Sequence, residues 1–340
     1  MVSIKEVAQL AGVSTATVSR FINNPDQVKQ HTRERVQKAI SETGYAPNTL
    51  ARNFRRGKTH IVVVVLPSVG DPFFEGIMEG IWRVAREQGY SILVRETLFN
   101  TVDFDEFTHM IFSKQADGII LLASPSPFRE GVSIDDERKQ PPIILSCENV
   151  TPELKNFPSV RIDNVAAATE ATTYLISLGH KRIAFMFGKS SSTLTADRET
   201  GYRKAMKKAK LPIDDTWVSE GGLTLEGARR AVRKLINSSA PPTAIFCAND
   251  EMAIGAIHEI KAAGLSVPED ISVVGFDDIR YAEVVDPPLT TIAQPAEEIG
   301  ERTMYRLCKA IDGSDIGLGA ETVPHKLIVR RSTAKPPQSS

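Results

Sequence analysis

Four residues near the N-terminus have the types and spacing needed to contact base pairs. Thr15, Ala16 and Thr17 are small, and Arg20 follows Ala16 by about one helical turn. Small side chains at the start of a helix permit close approach to base edges, and an arginine can donate two hydrogen bonds to guanine. This set therefore predicts contact with the major groove of DNA.

Short helices must position these residues. The sequence predicts helices at Ile4–Leu10 and Thr15–Ile22, with Gly12 at the sharp turn between them, where glycine adopts a positive φ at little cost. A third amphipathic helix, at about His31–Thr43, ends at Gly44. The arrangement is typical of a small all-α helix-turn-helix headpiece.

Polar residues mark where the first two helices begin. Ser3 and Glu6 have the spacing of a capping box, in which each side chain accepts a backbone hydrogen bond from the other residue. Ser14 can cap the second helix in the same way that serine caps many helix N-termini. These residues predict the two helix starts independently of the apolar pattern.

Charge is distributed unevenly along the chain. Residues 1–58 contain ten Lys and Arg against four Asp and Glu, a net charge of +6; the rest of the chain contains 31 basic and 38 acidic residues, a net charge of −7. A basic end suits binding to the phosphate backbone of DNA. The alternative is a solvated basic surface without a partner.

A short basic segment at residues 48–58 separates this headpiece from the remainder of the chain. It has few apolar residues to bury and is predicted to be a linker with helical tendency. Phe54 is flanked by Arg52 and Arg55, so its ring could wedge into a minor groove while the arginines follow the phosphates. The alternative is that Phe54 packs against the next domain.

From Ile61 onward, short apolar runs alternate with helical stretches, which is typical of parallel α/β sheets. The predicted strands are Ile61–Leu66, Ser91–Arg95, Gly118–Leu122, Pro142–Leu145, Arg182–Phe187, Ala244–Cys247, Ile271–Gly275, Leu289–Ile292 and Leu327–Arg331. The predicted helices are Phe73–Gln88, Asp103–Lys114, Ala166–Leu178, Asp197–Lys208, Leu225–Asn237 and Glu251–Ala263.

The repeated strand and helix pattern predicts two α/β lobes with a cleft between them. We expect a headpiece at 1–47, a linker at 48–58 and a core at 59–333. Within the core, one lobe comprises about 59–160 with 293–322 and the other 161–290 with 324–333, because the last segments cross back between lobes. Residues 334–340 are rich in Pro and Ser and are predicted to be disordered.

The composition excludes several classes of protein. No apolar run approaches the length of a membrane helix, and no export signal begins the chain. The three widely spaced cysteines suit reduced thiols in the cytoplasm. Nucleotide-binding glycine motifs and the HExxH and GxSxG motifs do not occur, and the histidines lack metal-ligand spacing. We therefore predict neither enzymatic activity nor a metal or cofactor.

Several motifs together identify a family resemblance. Residues 3–8 and 12–20 closely resemble the headpiece of the LacI/GalR transcriptional repressors, and the likeness extends over residues 3–333. Further matching motifs are Gly44-Tyr45-Ala46-Pro47, Asp71-Pro72-Phe73-Phe74, Gly179-His180-Lys181-Arg182-Ile183, Ala248-Asn249-Asp250, Gly275-Phe276-Asp277-Asp278 and Pro288-Leu289-Thr290-Thr291-Ile292. The resemblance implies a two-lobe core similar to periplasmic binding proteins.

The resemblance implies a homodimer in which two headpieces bind the half-sites of operator DNA and the linkers become hinge helices. Thr15, Ala16 and Arg20 would then contact bases. Residues expected to contact the DNA backbone are Asn23, Arg33, Tyr45 and Asn48. Phe54 stands where the family usually has leucine. The family also leaves room for an activator protein on the same promoter.

The resemblance also places an effector between the lobes. The residues expected to line its cleft are Asp71, Phe73, Phe74, Asp163, Arg198, Asn249 and Asp277. The aromatic rings could stack on a planar ligand, and the polar side chains could bind its hydroxyl groups. Within the family the chain is most similar to repressors that respond to a nucleoside such as cytidine, whereas the wider family mostly binds sugars and some members respond to purines.

Other roles for these residues remain open. Phe73 and Phe74 could simply pack at the start of a helix, Asp277 could cap a helix, and Arg198 could form a salt bridge between the lobes. A free solute-binding protein would share the two-lobe fold, but it would require an export signal and would lack a basic headpiece.

Overall fold

The computed structural model describes residues 2–45, 58–97, 115–123, 142–147, 157–188 and 193–338. The chain forms two compact units, Met1–Thr59 and His60–Ser340. Most of the predicted linker, with Asn48, Arg52, Phe54 and Arg55, lies outside the described residues, as does the predicted helix Asp103–Lys114.

Over residues 2–45, the first unit forms a headpiece of three α-helices. Its helices are α1 (Ile4–Ala11), α2 (Thr15–Asn23) and α3 (Gln30–Thr43), with a short 3₁₀ turn at Pro25–Gln27. Each helix contributes to one small core, which includes Val7, Val18 and Val36, all fully buried. The predicted helix-turn-helix is confirmed.

The predicted caps are also present. The Ser3 and Glu6 side chains each accept a hydrogen bond from the other's backbone, and Ser14 Oγ accepts one from Thr17 N. Gly12 has φ +60°, and a Cβ there would lie 2.4 Å from Nη2 of Arg35. That guanidinium donates to the Ala11 carbonyl oxygen at 2.5 Å. Glycine is therefore favoured at position 12 both by the positive φ of the turn and by the close contact with Arg35 of α3.

The described residues of the second unit form two six-stranded sheets. The first has the strand order β11-β5-β4-β3-β1-β2. Its strands are β1 (Ile61–Leu66), β2 (Ser91–Glu96), β3 (Gly118–Leu122), β4 (Ile143–Ser146), β5 (Ser159–Arg161) and β11 (Ala320–Thr322). All its pairings are parallel. Among the described residues, this sheet and the helices α4 (Pro72–Gln88) and α9 (Ala296–Ile311) make up lobe 1.

The second sheet has the strand order β12-β10-β9-β8-β6-β7. Its strands are β6 (Ile183–Phe187), β7 (Val218–Glu220), β8 (Ala244–Cys247), β9 (Ser272–Asp277), β10 (Thr290–Ala293) and β12 (Lys326–Ile328). Only the pairing of β10 with β12 is antiparallel among the described strands. Lobe 2 adds the helices α5 (Asn164–Ser177), α6 (Thr193–Lys208), α7 (Leu225–Ile236) and α8 (Asp250–Ala262).

The chain passes between the sheets three times, after β5, β10 and β11. Helix α9 belongs to lobe 1 although it follows a strand of lobe 2, and it packs closely on α4. A Cβ at Gly80 would lie 2.1 Å from the Glu297 carbonyl oxygen, and one at Gly300 would lie 2.1 Å from that of Ile77. These glycines let the two helix backbones approach each other directly.

The α/β fold class is confirmed, and several predicted strands differ by only one or two residues at an end. The sequence prediction does not include α9 or the short strands β5, β7 and β11. Each of these strands has only three residues, which show too little periodicity to predict a strand.

The predicted disorder from Ala334 is wrong at its start. The Ala334 carbonyl oxygen accepts a hydrogen bond from Nε2 of His180 at 2.9 Å, and its backbone N–H donates to Oγ of Ser272 at 3.0 Å. Ser332, two residues earlier, is fully buried. The chain end is therefore hydrogen-bonded to lobe 2 through Ala334.

Candidate DNA-binding and effector sites

The exposed face of α2 carries the residues predicted to contact bases. Thr15, Ala16 and Arg20 are exposed, and Thr17 is half-buried, while Val18 on the opposite face fills the core. Because Arg20 is four residues after Ala16, the two lie on the same helix face. The side chains of Thr15, Ala16 and Arg20 are therefore accessible to a ligand that approaches this face.

The residues predicted to contact the DNA backbone also contact other residues of the headpiece. Asn23 Nδ2 donates to the Ser19 carbonyl oxygen at 2.7 Å, and Arg33 lies 3.3 Å from the Asp26 carboxylate. Tyr45 is half-buried against the headpiece core. These side chains are held in place by neighbours before any ligand arrives.

In lobe 2, Arg198 is the centre of a buried polar cluster. Its Nε donates to Oδ1 of Asn164 at 3.0 Å, and its Nη1 donates to the Ala248 carbonyl oxygen. The guanidinium lies 3.7 Å from the centre of the Phe276 ring and 3.6 Å from the Asp277 carboxylate. Burial lowers the pKa of Arg198, whereas the Asp277 carboxylate raises it.

Asp277 ends β9 with an unusual backbone. Its φ is +110°, and Asp278 has φ +57°. Residues other than glycine rarely adopt a positive φ. The Asp277 carboxylate accepts a hydrogen bond from Nε2 of Gln294 at 2.7 Å. Burial raises the pKa of Asp277 to about 7, and the charge of Arg198 opposes that shift. Strained backbone held by surrounding contacts is frequent at functional sites.

A second buried carboxylate, Asp250, lies beside this strand. It accepts hydrogen bonds from Oγ1 of Thr291 at 2.6 Å and from the Ile279 backbone N–H at 2.9 Å. Gly275 makes room for it, since a Cβ there would lie 2.1 Å from Oδ1 of Asp250. Burial raises the pKa of Asp250 well above its ordinary value, and the negative charge of Asp277 adds to that rise.

Three of the predicted cleft residues are helix N-caps. Asp71 caps α4, Asp163 caps α5 and Asn249 caps α8, each through a side-chain oxygen that accepts a backbone hydrogen bond at 2.9 Å. Asp163 is exposed, Asn249 is buried, and Asp71 is half-buried with a pKa that burial raises. Asp277 ends a strand and does not cap a helix, so the alternative role as a helix cap is wrong. Arg198 and Asp277 both belong to lobe 2, so their ion pair does not join the lobes.

The two phenylalanines are buried at the start of α4, with ring centres 5.5 Å apart. Each lines a different cavity. Phe73 borders a cavity of about 500 Å³ that also contacts Asp277, Gln294 and Glu298. This cavity lies between α4 of lobe 1 and the end of β9 in lobe 2, and its volume suits a small organic ligand.

Phe74 borders a larger cavity of about 890 Å³ between the lobes, lined mostly by apolar side chains that include Met78, Ile254 and Val285. Several large apolar residues around it are exposed. They are Val69, Trp82, Leu225, Tyr281 and Val284. An exposed apolar patch of this kind often marks a contact with another molecule.

Sequence reasoning missed Asn164, Asp250 and Gln294, although all three belong to the buried cluster. Asp250 directly follows Asn249, and Asn164 directly follows Asp163, so in both cases the sequence prediction names the residue next to the one in the cluster. At helix N-termini the first and second positions differ by about 100° in direction, so a pattern cannot decide which one faces the cleft. Among the described helices, none is long and apolar enough to cross a membrane.

Comparisons with known proteins agree with this architecture. Residues 3–48 match the bacterial regulatory proteins of the lacI family, and residues 172–333 match a periplasmic binding protein-like domain. The chain is 41% identical over 331 residues to the HTH-type transcriptional repressor CytR of Escherichia coli K12, covering 97% of this chain and 96% of that protein. It is 34% identical to catabolite control protein A of Priestia megaterium, covering 98% and 99% of the two chains.

Solved structures support the same relationship. The lac repressor dimer bound to operator and the anti-inducer ONPF is 27% identical, with a TM-score of 0.86 over 98% of this chain and 99% of that one. The complex of the transcriptional regulator CelR with cellobiose is 30% identical, with a TM-score of 0.72 over 98% and 100%. The headpiece match distinguishes this chain from a free solute-binding protein. From its three-helix headpiece to its two-lobe core, the chain belongs to the lacI family of bacterial regulatory proteins.

Proposed function

We propose that this DNA-binding transcriptional repressor binds its operator as a homodimer, and that a nucleoside such as cytidine, bound between the lobes, changes its operator affinity. The cavity bordered by Phe73 and Asp277 is the main observation that supports a nucleoside as the effector. A ring face suits stacking against a planar base, and a carboxylate accepts hydrogen bonds from ribose hydroxyls. The similarity to CytR supports the same assignment.

Operator binding is assigned to the exposed face of α2 and to the basic linker. Thr15, Ala16, Thr17 and Arg20 would contact bases, while Asn23, Arg33 and Tyr45 would contact phosphates from the rim of the headpiece. In the linker, Asn48, Arg52 and Arg55 would follow the backbone and Phe54 would enter the minor groove. The net charge of +6 over residues 1–58 supports this assignment.

The homodimer is assigned to the exposed apolar patch around the larger cavity. Trp82 in lobe 1 and Val284 in lobe 2 are 47% and 72% exposed, which is costly for large apolar side chains in a monomer. The lac repressor, which aligns over nearly the whole chain, is a dimer on its operator. Sedimentation analysis of the purified protein tests the assignment, and a monomer at micromolar concentration would contradict it.

Effector control follows from the two-lobe design. A ligand that binds one lobe arrangement better than the other shifts the population of the two by its difference in affinity. In a dimer, a change in lobe closure alters the spacing of the two linkers, and operator affinity changes accordingly. This linkage permits an effector either to release the repressor from DNA or to tighten its binding to DNA. Titration of the effector against the protein on operator DNA measures which of the two occurs.

The deciding experiment is a thermal-shift screen of the full chain against nucleosides, purine bases, pentoses and hexoses. A ligand that binds only the folded state raises the unfolding midpoint. A shift confined to nucleosides supports the proposal, and the positive compound is then titrated against the protein on operator DNA selected from a random pool. A shift with a purine base or a sugar alone would contradict the nucleoside assignment.

A sugar effector is the second candidate. It is favoured by solved relatives that contain cellobiose and ribose. The Arg198 and Asp277 pair could serve either class, because neighbouring hydroxyls are common to ribose and to free sugars. The proposal also places the repressor in the cytoplasm, with an activator protein on the same promoter; gel shifts with and without that activator would reveal joint binding.

A further inference from the structure

Asn164 is the first residue of α5 and is only 2% exposed. Its Oδ1 accepts the hydrogen bond from Nε of Arg198, which fixes the orientation of the amide. Rotating the amide by 180° would turn its N–H groups toward another donor. The Nδ2 group is therefore a donor facing away from Arg198.

Nδ2 of Asn164 is fully buried and has no hydrogen-bond partner among the described residues. Most buried polar atoms in folded proteins are hydrogen-bonded, and an unpartnered buried donor is costly. Such an atom often marks a place where a ligand or an ordered water completes the site.

The surrounding cluster consists of groups that can serve a ligand. Arg198 is buried between the Phe276 ring and the Asp277 carboxylate, and Asp277 borders the cavity that also contacts Phe73. Asp277 is an acceptor when ionised, whereas Nδ2 of Asn164 can only donate. A ligand that binds both groups must therefore carry a donor for the Asp277 carboxylate close to an acceptor for Nδ2 of Asn164.

We propose that Asn164 is a further effector-binding residue, whose Nδ2 donates a hydrogen bond to an acceptor atom of the ligand beside the Arg198 and Asp277 pair. This inference rests on the proposed effector site and specifies the ligand chemistry there. The ligand carries an oxygen or an unprotonated ring nitrogen next to a hydroxyl or amino donor. Both the ribose and the cytosine ring of a nucleoside have such pairs.

The test combines variants of Asn164 with ligands that each lack or alter one acceptor. Isothermal titration of the full chain with cytidine compares the wild-type protein with Asn164→Ala and with Asn164→Ser, which keeps an acceptor for Arg198. The altered ligands are 2′-deoxycytidine, 3′-deoxycytidine, 5′-deoxycytidine, 2-thiocytidine and uridine, in which N3 is a donor. Asn237→Ala, on an exposed residue of lobe 2, is the matched control.

We expect Asn164→Ala and Asn164→Ser to weaken cytidine binding by about tenfold or more, and Asn237→Ala to change it by less than about twofold. For one altered ligand the loss caused by the Asn164 variants should nearly vanish, which identifies the acceptor that Nδ2 binds. Operator binding without ligand reports that the variants are folded.

If the Asn164 variants lose the same affinity for cytidine and for all five altered ligands, Asn164 only supports Arg198. If their affinities are unchanged, Asn164 has no role in ligand binding. Either result overturns the inference. If the wild-type protein binds ribose but not cytidine, the nucleoside assignment fails, and the same comparison is made with ribose and its 2-deoxy and 3-deoxy forms. If the wild-type protein binds neither cytidine nor ribose, the proposed effector site and this inference both fail.

Discussion

Arg280 of lobe 2 donates a hydrogen bond from Nη1 to Oε1 of Glu75 in lobe 1, at 2.8 Å. This ion pair spans the gap between the lobes, and both of its residues border the two cavities described above. Arg280 follows Asp277 by three residues, so the loop that carries it begins at the buried cluster. Movement of that loop would be transmitted directly to the contact between the lobes.

Breaking this ion pair should change effector affinity. Glu75→Ala and Arg280→Ala each remove a contact specific to this lobe arrangement, and because the side chains are 43% and 59% exposed the pair is expected to contribute at most about 1 kcal/mol. We expect changes of up to about fivefold in effector affinity for each variant, similar in the double variant. As a control, the charge-reversed pair Glu75→Arg with Arg280→Glu should restore the wild-type effector affinity. Additive effects of the two alanine substitutions on effector affinity would contradict the coupling.

Arg20→Ala should weaken binding to operator DNA more than binding to random DNA. Arg20 is exposed on α2, and a bidentate arginine–guanine contact contributes about 1–3 kcal/mol of discrimination. We expect a loss of about tenfold or more on operator and a small loss on random DNA, measured by fluorescence anisotropy at fixed salt. Lys38→Ala, which removes an exposed charge from α3, is the control. Equal losses on both DNAs would assign Arg20 to phosphate contact.

Phe54→Ala tests the proposed wedge in the linker. Removing a ring that enters the minor groove should lower operator affinity and reduce DNA bending, since the unstacking that produces a bend is then lost. Gel phasing with bent reference DNA measures the bend directly. Phe54→Leu, which restores the residue usual in the family, should retain most of the bend. Unchanged bending with Phe54→Ala would exclude the wedge.

The contribution of Asp277 to protein stability should fall as the pH rises from the ordinary pKa of 3.8 to about 7. Burial raises the pKa of Asp277 to about 7, so between its ordinary pKa and this value the folded state binds more protons than the unfolded chain. The free energy of unfolding therefore decreases with pH in this window, and the raised pKa of Asp250 acts in the same direction. Thermal unfolding at several pH values should show a smaller slope for Asp277→Asn. An unchanged slope would contradict this assignment.

Gly80→Ala should destabilise lobe 1. The added Cβ would lie 2.1 Å from the Glu297 carbonyl oxygen and 2.8 Å from the Glu301 backbone nitrogen, and backbone atoms cannot move aside without displacing α9. We expect a loss of about 1–3 kcal/mol in unfolding free energy by denaturant titration. Gly319→Ala, where a Cβ would meet nothing within 4 Å, is the control and should be nearly neutral.

Local patterns sufficed for the headpiece. The Ser3 and Glu6 capping box, the Ser14 cap and the positive φ of Gly12 depend on residues within a few positions, so their sequence signals are complete. Apolar runs such as Ile61–Leu66 were equally clear, because a central parallel strand is buried on both faces. Cleft residues were inferred mainly through resemblance to a family, and their individual roles stay predictions.

The buried polar cluster was decided by tertiary structure. Asn164, Arg198, Asp250 and Asp277 meet across separations of 27 to 113 residues, and nothing in the local sequence of any one of them specifies the others. Helix α9 joined lobe 1 for the same reason, since the close approach of Gly80 and Gly300 becomes apparent only when the two helices are packed together. Helix caps and strand patterns arise from contacts between near neighbours, whereas an ion pair or a helix crossing depends on how the whole chain folds back on itself.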